Sequence, residues 1–241
     1  HALDNPIGLD GPVAGSIEKG KRVAILVSDS FRSTGADIFL PVLIAYLEEF
    51  GISSEDIIIV FATGTHRAPT DEEQRKIVGP EIYQAFQERL FSHDAQDTNN
   101  LVTVGTTSRG TRVDINRRVY NCDCIIATGS VVYHYFGGFG GGRKSVVPGI
   151  ASAETIVHNH AMNLDPLQDR LNPNVAIGRL DGNPVAEDML EATRLVGVDF
   201  IVNTVLNRQG QISAVFVGEL DAAHRAACAA ARDLFTAQIS G

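Results

Sequence analysis

The sequence predicts an α/β fold: a mostly parallel sheet flanked by helices on both faces, Rossmann-like in its three layers, with a small hairpin near the C-terminus. Two observations predict it. Apolar, β-branched runs such as RVAILVS (22–28) and DIIIVFAT (56–63) show no polar alternation, so they read as strands buried on both faces. Stretches with helical spacing separate these runs, and strands that alternate with helices build parallel sheets. Residues 1–241 are expected to form one α/β domain with an irregular lead-in, rich in Gly and Pro, over 1–20.

The first strand, 22–28, ends at Asp29. Helical spacing over 35–50 places Ile38, Leu40, Leu43, Ile44 and Leu47 on one broad face, and Gly51 marks its end. The second strand, 56–63, runs into the loop GTHRAPT. Thr70 and Glu73 form a capping box for a helix from about Asp71, with a break at Gly79-Pro80. Residues 101–106 and 111–119 read as strands, as does 124–128. A glycine loop follows, then a helix over 153–160 and an Asn/Asp/Pro-rich loop over 163–183. Asn183 and Pro184 are an N-cap and first-turn pair for a helix that ends at Gly197. Strands at 200–206 and 212–217 flank a turn at 207–210, and an amphipathic helix is expected over 220–239.

Composition narrows the function classes. A net charge of −9 argues against non-specific nucleic-acid binding, which needs a basic face. No apolar run reaches membrane-spanning length and no secretory leader pattern is present, so no membrane partner and a cytoplasmic setting are expected. Cys122, Cys124 and Cys228 do not form a disulfide framework and read as reduced, structural thiols. A CxC pair alone lacks the second pair of ligands that a zinc site needs.

In open parallel sheets, ligands bind beyond the carboxyl ends of the strands. Three strands end there in reactive side chains: Asp29 and Arg32 after the first, His66 and Arg67 after the second, and His134 before the glycine loop. Each has a plain alternative. Asp29 could cap its own turn, Arg32 could be a solvated charge, His66 a surface histidine, and His134 a ring packed between Tyr133 and Tyr135. His158 and His160 are two apart, which on a helix points them about 200° apart, so at most one can serve a given ligand set. His93 and His224 read as structural or exposed.

The loop HYFGGFGGGRKSVVPG carries Gly137, Gly138, Gly140, Gly141 and Gly142, then Arg143 and Lys144. It is neither a Walker A motif nor a GxGxxG turn that opens a helix. Glycines permit close approach of a ligand to backbone amides, and the following cations point to an anion such as phosphate. A flexible surface loop is the alternative.

On the segments ATGTHRAPT (62–70), HYFGGFGGGRKSVVPGIASAETI (134–156), Asn159-His160, DSFR (29–32) and NPVAEDMLEATRLVGVDFIVNTVLN (183–207), the chain resembles the nickel-pincer-nucleotide-dependent lactate racemases and related 2-hydroxyacid racemases and epimerases. The resemblance covers nearly the whole chain in the same order. It implies a cofactor, a pyridinium mononucleotide whose two sulfur-bearing arms hold nickel, joined to Lys144 through a thioamide. It implies His160 as a nickel ligand, His66 and His134 as the two acid/base histidines, and Arg32 with Asp29 close to a lactate-like 2-hydroxyacid. The glycine loop, with Gly137, Gly140, Gly141 and Gly142, would hold the cofactor phosphate. Separate maturation enzymes are the implied partners that supply the cofactor.

The chemistry agrees with that assignment. The α-hydrogen of a 2-hydroxyacid is hard to remove as a proton beside a carboxylate, whereas hydride removal avoids a dianion. The hydroxyl proton then needs a base, and two enantiomers ask for two bases that titrate near neutrality, which suits histidine. Soft sulfur ligands with imidazole suit nickel. Two positions depart from the family pattern: Phe31 stands where threonine is usual, and Gly140 where serine is usual. Members of the family also carry a second α/β domain that these 241 residues do not include, so the isolated domain is expected to be inactive. Two other classes compete: a non-catalytic nucleotide- or phosphate-binding module, and, ranked last, a zinc hydrolase using His66, His134 and His160 without a carboxylate base.

Overall fold

The computed structural model describes residues 1–17 and 20–236. Its centre is β1 (Val23–Ser28), whose side chains alternate between two faces and are buried on both. Val23, Ile25 and Val27 pack on one side against α1 (Ala36–Glu49) through Leu40, Leu43 and Leu47. Ala24 and Leu26 pack on the other side with a second cluster that includes Val146, Ile150, Val185 and Met189. The parallel pairing is thus stabilised by apolar burial from two directions, as the unalternated sequence run requires.

Gly35 opens α1 with a left-handed φ of 71°. The helix closes with two bonds, Gly51 N–H to the Glu48 carbonyl and Ile52 N–H to the Leu47 carbonyl. These are the two bonds of a Schellman motif, and Gly51 supplies its positive φ of 87°. β2 (Ile57–Ala62) pairs parallel with β1. α2 (Asp71–Val78) starts at the predicted capping box, in which Thr70 and Glu73 each bond the other's backbone amide. Gly79-Pro80 breaks the helix as expected, and α3 (Pro80–Phe86) leads to β3 (Leu90–Ser92).

β3 is an edge strand that the sequence did not announce, since three residues give no measurable period. β4 (Leu101–Thr106) and β5 (Arg112–Asn116) form a separate antiparallel ribbon rather than joining the main sheet. The strand expected over 111–119 stops early because the Asn116 side chain accepts bonds from the Arg118 and Val119 amides and starts the one-turn helix α4 (Arg117–Tyr120).

β6 (Cys124–Ser130) returns to the far side of β1, so the chain reverses its direction of travel across the sheet between β1 and β6. Inside the glycine loop lie the short hairpin β7 (Tyr133–His134) and β8 (Gly138–Phe139) and a 3-10 turn over Gly142–Ser145. α5 (Ala153–Ala161) and α6 (Pro184–Val196) follow. Asn183 caps α6 as predicted, and Gly197 ends it with φ 83°. β9 (Phe200–Leu206) adds parallel to β6, and β10 (Ile212–Gly218) closes the sheet as its antiparallel edge, completing the predicted hairpin. The sheet order is β10-β9-β6-β1-β2-β3. α7 (Leu220–Phe235) covers it, ending before the expected 239; positions 237–239 lie outside the described residues. Among the described residues of the lead-in, a 3-10 turn spans Val13–Ser16, Ile7 makes a parallel bridge to Gly218, and Val13 and Ile17 join the core.

Candidate active site

The carboxyl ends of β1, β2 and β6 open onto a cavity of about 220 Å³. This is the place where the strand order reverses, which is where α/β sheets offer a crevice. Asp29, Arg32, His66, His134, Lys144 and His160 all line it. Six side chains spread over more than a hundred residues of sequence are therefore brought together. Of the glycines, Gly140 and Gly141 line the cavity, while Gly137 and Gly142 do not.

Asp29 follows β1 directly and is 3% exposed. Its Oδ1 accepts the Phe31 amide at 3.1 Å, and its Oδ2 lies 2.6 Å from His66 Nδ1. His66 is placed by a tight turn after β2, in which its N–H bonds the Thr63 carbonyl and Gly64 N–H bonds the Gly149 carbonyl. The exposed Phe31 ring leans on the His66 ring at 4.7 Å. Asp29 is thus tied to a histidine 37 residues away.

His134 is 6% exposed. Its Nδ1 accepts the Gly137 N–H at 3.0 Å, and its ring stacks on Tyr135 at 4.8 Å and meets Phe136 edge-on at 4.6 Å. Burial, then the charges of Lys144, Arg32 and His160, push it down to about 3. Lys144 projects from the 3-10 turn with its amine 5.8 Å from the Phe136 ring. Burial and the Arg32 charge lower the amine to about 7. His160, in the last turn of α5, is lowered to about 4 by burial and Lys144. Its Nδ1 is enclosed without a hydrogen-bond partner. All three groups resist a positive charge for the same reasons: little water and mutual repulsion. Asp29 is the one acidic side chain lining the cavity among the described residues, and it is already engaged by His66. An anion is what this arrangement lacks.

Two predicted cations lie elsewhere. Arg143 is buried away from the cavity, bonding the Ala186 carbonyl, Asp221 and His224. Arg67 forms a two-pronged pair with Glu73, 2.6 Å on each arm. The glycine loop also has internal duties. The amides of Gly137, Gly140 and Gly142 bond His134, the Val132 carbonyl and Asn203, respectively. A Cβ on Gly138 would fall 2.1 Å from the Arg179 carbonyl oxygen. His158 bonds Thr111 rather than the cavity, so the two neighbouring histidines do diverge. His93 and His224 are buried structural residues whose ring nitrogens bond backbone and side-chain groups. Cys122, Cys124 and Cys228 are free, and burial raises all three thiols. Among the described residues, no three His, Cys, Asp or Glu gather as a metal-holding cluster. No helix among them is long and apolar enough to cross a membrane.

Residues 1–170 match the family described as the lactate racemase N-terminal domain. The chain belongs to that family. It is 34% identical over 234 residues to the lactate racemase of Lactiplantibacillus plantarum, covering 97% of this chain and 53% of that protein. It is 32% identical over 228 residues to the lactate racemase of Thermoanaerobacterium thermosaccharolyticum, covering 95% of this chain and 51% of that one. This chain therefore spans about half the length of the curated lactate racemases it matches. The solved structure of the lactate racemase apoprotein from T. thermosaccharolyticum superposes with a TM-score of 0.86 at 31% identity, over 97% of this chain and 54% of that one. A Thermotoga maritima protein shares the fold, with a TM-score of 0.75 at 24% identity over 92% of this chain and 57% of that one.

In this lactate racemase N-terminal fold, Phe136 is the site residue that sequence reasoning missed. Its ring touches His134 and His160 and lies beneath Lys144, so it spaces three polar groups with one apolar wall. The aromatic run YHYF was visible, but nothing in it said which ring turns inward.

Proposed function

We propose that this chain is the catalytic part of a racemase or epimerase of a lactate-like 2-hydroxyacid that works with a nickel pincer nucleotide. The observation that carries the reading is the convergence of His66, His134, Lys144, His160 and Arg32 on one cavity lined by nitrogen bases and a single carboxylate among the described residues. The residues present fit the cofactor. Lys144 is a buried amine lowered to about 7 by burial and the Arg32 charge, so a nucleophilic uncharged fraction exists near neutral pH, as a group that forms a thioamide needs. His160 offers an imidazole held neutral by burial, with one nitrogen unpartnered. When bound, the nucleotide supplies the centre that accepts and returns the α-hydrogen as hydride.

The chain's own residues supply the rest. Arg32 takes the substrate carboxylate, a charge-assisted contact. His66 takes the hydroxyl proton at Nε2, and Asp29, bonded to Nδ1, stabilises the imidazolium that results. Asp29 therefore works through His66 rather than on the substrate. His134 serves the oxygen of the other enantiomer. Gly140 and Gly141 line the cavity where the phosphate would lie. Maturation enzymes that deliver the cofactor are the proposed partners, in a cytoplasmic setting. A non-catalytic phosphate-binding module would need the cations but not the Asp29–His66 pair.

The test is intact mass spectrometry with metal analysis on protein co-produced with the maturation enzymes. A mass increase localised to Lys144, one nickel per chain, and interconversion of D- and L-2-hydroxyacids by the full-length protein are expected. Absence of both adduct and nickel, with a known lactate racemase loaded in parallel, would overturn the reading.

A further inference from the structure

Two aromatic rings stand in solvent beside the cavity. Phe31 is 59% exposed and Tyr135 is 69% exposed. Each packs against a histidine that lines the cavity: Phe31 on His66 with ring centroids 4.7 Å apart, and Tyr135 on His134 at 4.8 Å. A single exposed apolar residue is ordinary on a protein surface. Two rings laid against the reactive side chains of one cavity form an apolar platform for a bound molecule, beside the few polar groups that orient it.

Phe31 is held in position. Its amide donates to Asp29 Oδ1 at 3.1 Å, and its ring centre lies 5.8 Å from the Arg67 guanidinium carbon. Arg67 donates to both Glu73 oxygens at 2.6 Å, and the Thr70 amide anchors Glu73 at 2.8 Å. This frame joins the loop after β1 to the loop after β2, and it also settles a charge. Glu73 matches the Arg67 cation. Among the described residues, the Lys and Arg side chains that line the cavity are Arg32 and Lys144. On the proposed reading the Lys144 amine is taken up in joining the cofactor. Arg32 is then left for one carboxylate, with no second Lys or Arg among the lining residues for another.

We propose that the substrate is a monocarboxylic 2-hydroxyacid with a bulky apolar side group, aromatic or branched aliphatic, and that Phe31, with Tyr135, selects it. Arg32 holds the carboxylate, and the side group lies against the two rings. A methyl group, as in lactate, covers little of either ring. A phenyl or isobutyl group takes ring surface and its own surface out of water. A second carboxylate, as in malate, would lose water against the rings without a cation to replace it. This substrate class rests on the proposed racemase activity.

The test is racemisation by cofactor-loaded full-length protein of lactate, 3-phenyllactate, 2-hydroxy-4-methylpentanoate and malate. For the wild type, kcat/KM with each of the two bulky acids is expected to exceed that with lactate by at least about tenfold, with malate slowest. Phe31→Ala keeps the amide that Asp29 accepts and removes only an exposed ring. It should lower the ratio of kcat/KM for phenyllactate to that for lactate by about tenfold or more, chiefly through KM, and Tyr135→Ala should lower the same ratio. Rings that merely prop the histidines would lower both substrates alike. An unchanged ratio in both variants therefore overturns the inference, as does a wild type that prefers lactate or malate. A nickel-loaded wild type that racemises none of the four acids refutes the proposed function itself.

Discussion

Asp29 Oδ2 and His66 Nδ1 lie 2.6 Å apart, joining the ends of two adjacent parallel strands. The carboxylate is 3% exposed and the imidazole is open to the cavity, so the pair is buried at its anchor and accessible at its working end. Such a bond fixes both the ring orientation and the tautomer. Asp29→Asn keeps the shape but removes the charge, and its amide can present N–H to Nδ1 and invert the tautomer. The expected result in loaded full-length protein is a kcat lower by ~10²–10⁴ with KM changed far less. Initial rates with both enantiomers check it; an unchanged kcat would show that Asp29 does not act through His66.

Lys144 gives a pH-dependent stability with a defined sign. Its ordinary value is 10.5 and burial lowers it to about 7. Below pH 7 both folded and unfolded chains carry the proton, and the fold bears the whole cost of a buried charge. Between 7 and 10.5 the unfolded chain holds a proton that the folded one has lost, so stability rises with pH across that window. Lys144→Met removes the group. The variant should be more stable than wild type by on the order of 4 kcal/mol at pH 6, an advantage that fades towards pH 10. Urea denaturation of the cofactor-free chain at both pH values checks it. A constant difference would mean the amine is not held near neutrality.

How much of this was legible beforehand follows from range. Local signals were reliable: the capping box at Thr70, the cap and proline at Asn183-Pro184, and the unalternated strands all appear as read. Strand ends could be expected to meet, because the parallel-sheet rule places them on one rim. Directions within the loop could not be read. Arg143 and Lys144 are adjacent in sequence, but residues in a 3-10 turn point about 120° apart, so one enters the core and the other the cavity. The partner of Asp29 was likewise invisible, since a carboxylate after a strand looks the same whether it caps its own turn or holds a distant histidine.

The glycines of the loop also divide by cause. Gly141 has φ 74°, and a Cβ there would meet Asn203 Oδ1 at 2.6 Å and Val131 Cγ2 at 2.7 Å. Both neighbours are buried. Gly141→Ala therefore combines a left-handed backbone with overpacking and should cost about 2–4 kcal/mol. Gly210 has a similar φ of 77° but open space around its Cβ position, so Gly210→Ala should cost only ~1 kcal/mol. Equilibrium denaturation of the two variants separates packing from backbone strain. Equal losses would show that φ alone demands the glycine.

Asp188 is the buried polar link behind the site. It is fully enclosed on α6 and accepts bonds from Thr107 Oγ1 at 2.5 Å, Thr111 Oγ1 at 2.8 Å and Asn159 Nδ2 at 2.8 Å. Those donors come from the β4–β5 ribbon and from the last turns of α5, so one carboxylate fastens two elements to a third. Asp188→Ala removes an acceptor shared by three buried donors, of which Asn159 Nδ2 keeps the Val185 carbonyl and Thr111 Oγ1 keeps His158 Nδ1 as a neighbour, and should cost about 3 kcal/mol. Asn159 immediately precedes His160, so the substitution also loosens the turn that presents that imidazole. Nickel content of protein made with the maturation enzymes should fall in Asp188→Ala, measured at a temperature where the variant remains folded by circular dichroism. Full nickel loading in a destabilised Asp188→Ala would show that the α5–α6 link holds the fold together without setting the position of His160.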